Sequence, residues 1–356
     1  MAVGYSGFAQ IIDQNGAPVT LLTTNMGINP ELNPINSASA VGYGWANAAD
    51  VSHYANGVRN YRGSLDFDMQ GDTVWEAINR WALTERAYSK QFRHSPDGTR
   101  YYEYGVGSDI GDWVNLSKTT QRGAWCESFR LSTSQDSTVQ ASLGVIALRR
   151  TEVELAGDGY FDNTVGYVAG NCSSFGLTDP LNPSQGNISP IPFWKTSARI
   201  WLTSYGGSPV DYDADAETVQ WSIDLGNSPQ ILKTCNGISL EGYGVAHAVV
   251  MGPMSVSGSI QLYKHGGVKD PVETTPLYAD EASFLVQIDA GGGTTLNVYL
   301  PAIKLESDSY DFNTTNPVYR TFSIKGLGGK CVDDITLVTP PGAAGTISAP
   351  MIMTTD

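Results

Sequence analysis

The sequence predicts an all-β chain of two similar β-sandwich domains, the first flanked by one α-helix. Three observations predict it. The same layout is written twice about 195 residues apart, the recurring segments alternate apolar and polar residues with period 2, and only one stretch carries a convincing helical stripe. A repeat of that length is a domain duplication, because solenoid repeats run about 20–50 residues. The expected division is 1–155 for the first domain, 156–192 for an extended connector and 193–356 for the second domain.

The first copy opens Ser6-Gly-Phe-Ala-Gln-Ile-Ile and continues through Gly-Ala-Pro-Val19, Asn25-Met-Gly-Ile-Asn-Pro30 and Tyr61-Arg-Gly-Ser-Leu-Asp-Phe67. The second opens Ser197-Ala-Arg-Ile-Trp-Leu and continues through Gly-Ser-Pro-Val210, Asp224-Leu-Gly-Asn-Ser-Pro229 and Val256-Ser-Gly-Ser-Ile-Gln-Leu262. Matching Ser6 to Ser197, Gly27 to Gly226 and Gly63 to Gly258 gives offsets of 191, 199 and 195. Leu65, Phe67 and Met69 alternate with Ser64, Asp66 and Asp68, the pattern of a half-buried strand, and Ile260 and Leu262 keep the same phase. The closing strands match as well, with Leu143 and Val145 answered by Phe322 and Ile324 at an offset of 179. Kept phase matters, since a one-residue slip turns a strand inside out.

The helix is predicted over 72–83, with Asp72 as N-cap and Val74, Trp75, Ile78, Trp81 and Ala82 as its apolar stripe. At the corresponding place in the second copy, residues 265–276, two prolines limit any helix to about a turn. Each copy also carries a long segment without periodicity, 30–56 and 229–250, and segments that long inside a compact domain are usually functional or disordered. The connector is rich in Gly, Asn, Ser and Pro, yet Tyr160, Phe161, Tyr167, Val168 and Phe175 suit a segment lying along a surface.

Only 16% of the residues are charged, against about 25% in an average soluble protein, which fits a surface largely covered by partners. The net charge of −15 is uneven: residues 1–155 hold 12 basic against 16 acidic residues, and 156–356 hold 9 against 20. Such acidity repels nucleic acid. The N-terminus lacks the basic and apolar regions of a signal peptide, and no run reaches the ~20 apolar residues that span a bilayer. Cytoplasmic synthesis is therefore expected, with no membrane partner. The four cysteines (Cys126, Cys172, Cys235, Cys331) show no paired spacing and are expected to be neither zinc ligands nor a redox pair.

No catalytic, cofactor-binding or metal residue is expected, and the chain is not expected to be an enzyme. Asp211-Tyr-Asp-Ala-Asp215 starts like an EF-hand loop but has Ala216 at the glycine place and Ser222 at the glutamate place. Gly326-Leu-Gly-Gly-Lys-Cys331 lacks the first glycine and the hydroxyl of a Walker loop. His53, His94, His247 and His265 form no metal-binding pair. A pepsin-like aspartic protease has similar size and symmetry but needs one Asp-Thr/Ser-Gly in each half, and neither half has one. The scattered Trp45, Trp113, Trp125, Trp194 and Trp201 leave open a carbohydrate-binding or adhesin module as the alternative reading.

A hairpin with a long loop, a strand of the form (V/Y)-x-G-S-(L/I)-x-(F/L), a helix and closing strands ending on Ser-x-x-x-Val-x-x-x-x-x-x-(A/G)-Leu resemble the tail tube proteins of long-tailed bacteriophages. The resemblance covers both halves. It implies a structural virion protein with no cofactor, whose duplicated tube domains join, six to a ring, into one closed inner β-barrel. Two domains per chain then imply homotrimeric, pseudo-hexameric rings that stack through the long loops into a helical tube. It further implies a virion location, genome ejection through the lumen without specific DNA binding, and contacts with tape-measure, tail-terminator and distal tail proteins. A smooth acidic lumen is expected, with Asp66 and Asp68 as the residues suggested to face it.

Overall fold

The computed structural model describes residues 8–12, 19–32, 35–37, 53–55, 58–69, 71–86, 90–95, 116–155, 190–202, 210–211, 215–232, 244–245, 248–267, 282–311, 317–327 and 350–356. Most of them are strand. In the first half these are β1 (Phe8–Ile12), β2 (Val19–Leu32), β3 (Ile35–Ser37), β4 (His53–Ala55), β5 (Val58–Asp68), β6 (Lys90–Ser95), β7 (Leu116–Thr133) and β8 (Gln140–Leu155). The second half holds β9 (Thr196–Leu202), β10 (Val210–Asp211), β11 (Glu217–Gly226), β12 (Gln230–Leu232), β13 (Gly244–Val245), β14 (Ala248–Val250), β15 (Ser255–Tyr263), β16 (Ala282–Gly291), β17 (Thr294–Asp311), β18 (Tyr319–Gly326) and β19 (Ile352–Thr355). The helix α1 (Asp72–Asn79) runs on into a wider turn over Arg80–Thr84.

Pairing follows one plan in both halves. In the first, β1, β2, β5, β8, β7 and β6 pair in a circuit that returns to β1. In the second, β9, β16, β17, β18, β15 and β11 take the places of β1, β6, β7, β8, β5 and β2, the same circuit followed the other way round, and β10 pairs β9 as the start of β2 pairs β1. The registers repeat too. Ile28 opposite Gly63 is answered by Ile223 opposite Gly258, and Leu65 opposite Leu143 by Ile260 opposite Phe322.

Three irregularities recur at the same places. The register shift at Thr23/Asn25 returns at Thr218/Gln220, that at Lys90/Phe92 at Ala282/Phe284, and that at Cys126/Ser128 at Leu305/Ser307. Bulges leave a residue unpaired and bend a strand, so they persist only where the fold requires them. Even the long segments start alike. Ile35 opposite Ala55 in the β3–β4 arm matches Gln230 opposite Val250 in the β12–β14 arm, at the offset that relates Gly63 to Gly258.

Cross-strand partners correct one sequence match. Asn25–Pro30 does not correspond to Asp224–Pro229, because Gly27 lies opposite Ser64 whereas Gly226 lies opposite Ser255. The counterpart of Gly27 is Ser222, opposite Ser259, at the 195 offset of the neighbouring strand rather than 199. The error spans four residues, an even number, so it preserved the in–out pattern and was invisible to periodicity.

Asp72 is likewise the first helical residue; the cap position is Gly71, whose φ of 90° suits glycine. The stripe is as expected, with Trp75, Ile78, Trp81 and Ala82 fully buried. The helix does more than cover the first half. Trp75 Nε1 donates to Thr354 O (3.2 Å) and Asn79 Nδ2 to Met353 O (3.0 Å), tying it to β19 at the end of the chain. Of 265–276 only 265–267 are described, so the predicted loss of the second helix lies outside the described residues, as do 156–189 of the connector.

The two halves share one 15-stranded sheet because β11 pairs with the C-terminal half of β7. Beneath that seam Phe129, Leu131, Ile223 and Leu225 are each 1% exposed, and the apolar core runs through both halves. A buried asparagine locks the seam. Asn227 Nδ2 donates to Ala82 O (2.9 Å) and Cys126 O (3.2 Å), and its backbone N–H donates to Glu127 O (2.8 Å). Replacing Asn227 with Leu strands two buried carbonyls, so we expect a loss of roughly 1–3 kcal/mol in denaturant unfolding. A loss no larger than that of an ordinary surface substitution would mean that water replaces the amide.

Candidate functional site

Eight strands lie side by side in the order β2, β5, β8, β7, β11, β15, β18, β17, four from each half. Alternation gives this wall two unlike faces. One buries Leu65, Phe67, Leu143, Val145, Phe129, Leu131, Ile223, Leu225, Ile260, Leu262, Phe322 and Ile324, all 4% exposed or less. The opposite face is built from small polar residues.

Its plainest feature is a row of serines across five adjacent strands: Ser132, Ser222, Ser259, Ser323 and Ser307, each directly opposite the next. Ser222 and Ser259 hydroxyls lie 2.9 Å apart, and those of Ser307 and Ser323 2.8 Å. In the first half the equivalent row is Gly27, Ser64, Gly144 and Ser128. All these positions are Gly or Ser, so no long side chain projects from that row.

Charges on this face are matched locally. Arg130 Nε meets Asp224 Oδ1 across the seam (3.5 Å), Arg62 meets Glu31 (3.2 Å) and Glu127 (3.0 Å), and Lys325 meets Glu306 (3.6 Å). Exposed pairs of this kind add little stability, but they cancel charge. The face is thus smooth and hydroxyl-rich, with basic and acidic side chains interleaved. Asp66 and Asp68 lie on it. Asp66 accepts from Asn25 Nδ2 (3.1 Å) and Asp68 from the Thr138 hydroxyl (2.6 Å). Both line a shallow groove of about 460 Å³ with Thr24, Arg130, Ser132, Gln140 and Ser142. Its one aromatic, Phe67, is buried, so no ring is offered for stacking on a sugar.

Among the described residues the wall ends in two edges that are partly without a partner strand. β5 occupies one side of β2 from Thr23 to Leu32, and among the described residues no strand occupies the other side beyond Leu22. β18 occupies one side of β17 from Ile303 to Asp311, and no described strand occupies the other side beyond Ile303. Tyr310, on that edge, is 42% exposed.

The serine row was missed by sequence reasoning, although Ser255, Ser257 and Ser259 at every second position signal it. Of the motifs set aside, residues 212–214 and 328–331 lie outside the described residues. Asp215 pairs with Lys264 (3.4 Å), and no cluster of three His, Cys, Asp or Glu occurs among the described residues. Cys126 is buried, its thiol pushed up to about 12 by burial and then by Glu127. Asp289 is held below the usual carboxylate range, chiefly by the Gly291 N–H at 2.7 Å. Trp194 is exposed but stands on a turn, edge-on to Phe193. The side chains of His53, His94 and His247, with Trp45, Trp113, Cys172, Cys235 and Cys331, lie outside the described residues. No helix among the described residues is long and apolar enough to cross a membrane.

No protein-family model and no curated protein matches the chain. Among solved structures it is similar to a chain of the virion of a native gene transfer agent particle, with 11% identity, a TM-score of 0.29, and coverage of 44% of this chain and 100% of that one. A likeness so distant bears on neither family nor function.

Proposed function

We propose that this chain is a structural virion protein, the subunit of a phage tail tube, with two copies of one tube domain in each polypeptide and no catalytic role. The observation that carries this reading is the wall of eight strands, four from each half in matching register, smooth and polar on one face and with no described strand along the outer edge of β2 beyond Leu22 or of β17 beyond Ile303. An open edge is a hazard in a monomer and is abolished in a closed ring.

The register itself supports closure. Following paired residues from Asn25 leads through Asp66, Ser142 and Arg130 to Asp224, while the counterpart of Asn25 in β11 is Gln220. The first half, taken across the β7–β11 seam, therefore advances the register by four residues over its four strands. Repeating that step makes the shear number equal the strand number, and such barrels tilt their strands by about 36°. This tilt lies in the usual range for closed barrels whatever the number of halves. With three chains, twenty-four strands spaced ~4.8 Å apart enclose a backbone cylinder about 45 Å across. That is wide enough for a DNA duplex to pass a hydroxyl-lined wall without specific binding.

Tape-measure, terminator and distal tail proteins are the expected neighbours in such a tail. Electron microscopy of the purified chain tests the reading. We expect rings or tubes with a central channel and, at high resolution, three chains per ring with only pseudo-six-fold symmetry. A discrete monomer that binds glycans would overturn it in favour of an adhesin, and six chains per ring, each with one domain at the channel, would overturn the three-chain count.

A further inference from the structure

The seam inside the chain specifies the seam between chains. Within the chain, β7 meets β11 antiparallel, with Ser128 opposite Gly226, Arg130 opposite Asp224 and Ser132 opposite Ser222. In the repeated plan β17 is the counterpart of β7, with Ser307 in the place of Ser128. Likewise β2 is the counterpart of β11, with Gly27 in the place of Ser222. Beyond Leu22 on β2 and Ile303 on β17, the outer edges of these two strands carry no described partner.

We infer that the outer edge of β17 from Glu306 to Asp311 pairs antiparallel with Gly27–Leu32 of a second copy of this chain. The carried-over register sets Ser307 opposite Glu31, Ser309 opposite Asn29 and Asp311 opposite Gly27. This rests on the tube reading and adds to it a specific edge, direction and register.

Side chains at the two edges fit. Tyr310, 42% exposed, has its ring centre 4.6 Å from the Arg320 guanidinium, which is itself bonded to Asp308. The pairing sets Tyr310 opposite Ile28 on the apolar face, where Leu131 lies opposite Ile223 in the internal seam. Hydrogen-bond phase also transfers. Asn227 N donates to Glu127 O, so within the seam 225/129 and 223/131 are hydrogen-bonded pairs and 224/130 is a close, non-bonded one. Between chains, Pro30 then falls opposite Asp308 with no N–H to offer, so this seam is one bond poorer than the internal one. A proline nitrogen facing the free side of an edge strand also blunts that edge until the correct partner docks.

Ser309 and Asn29 inherit the non-bonded phase, with Cα atoms about 4.5 Å apart, within reach of a disulfide. Both side chains are exposed, so substitution leaves the core untouched. The test is N29C combined with S309C in the full chain, assembled under reducing conditions, checked by electron microscopy, then oxidised and run on a non-reducing gel. We expect interchain disulfides at least tenfold above either single variant and above the off-register pair N29C with S307C. Because Gly27 has open space where a Cβ would be, G27C with D311C is a second in-register pair should the first assemble poorly. Tubes that form without a disulfide from either in-register pair, or that favour the off-register pair, overturn this inference and leave the tube reading standing. Neither rings nor tubes from the unmodified chain overturns both.

Discussion

Deleting residues 37–54 is expected to leave a folded, soluble chain that no longer polymerises. The segment leaves the wall at the β3–β4 arm and returns before β5, so no core strand is lost with it. The counterpart arm, β12–β14, exposes Leu232 (46%) and Val250 (54%) where the β3–β4 arm has Ser37 and Ala55. Apolar side chains on a solvent-exposed two-stranded arm suit a docking contact. The second long segment already reaches beyond its own half, since β13 pairs parallel with β5 at Val58 and Arg59. We therefore expect a native circular dichroism spectrum, an unfolding midpoint close to the parent, and sedimentation as single rings or free chains. Normal tubes from the deletion would remove this segment from ring stacking.

The second large effect is expected at a glycine. A Cβ built on Gly63 falls 1.8 Å from Gly27 O and 2.6 Å from Ile28 Cα, so even alanine forces β2 and β5 apart. Backbone atoms cannot step aside as a flexible side chain can, and we expect Gly63→Ala to cost roughly 3 kcal/mol. Gly258 repeats the contact more loosely, 2.5 Å from Ser222 O, so Gly258→Ala should cost less. Gly27→Ala is the control, with nothing within 4 Å of its Cβ, and should change stability by under about 0.5 kcal/mol. Denaturant unfolding of the three variants checks the order. Equal stability for Gly63→Ala and Gly27→Ala would show that the strands separate freely.

These glycines show what was legible. The recurrence of Gly-Ser in Tyr61–Phe67 and Val256–Leu262 is visible in the sequence, as are the buried alternation on both sides and the stripe of α1. Local patterning records which face of a strand is apolar, and it does so correctly for β5, β8, β15 and β18. It does not record what lies across the strand, so local matching aligns Gly27 with Gly226 rather than Ser222. The bulges at Thr23/Asn25 and Thr218/Gln220 set that equivalence, and no sequence period marks them.

The all-β class, the layout written twice and the position of the helix can be read from the residues alone, because each is recorded in local spacing and residue chemistry. That both halves share one sheet, that α1 docks on β19 and that the serines line up across five strands emerges with the folded chain. Those facts depend on contacts between residues far apart in the chain, such as Phe129 beside Leu225 or Trp75 on Thr354, and the pairing register that creates them is set by the sheet as a whole.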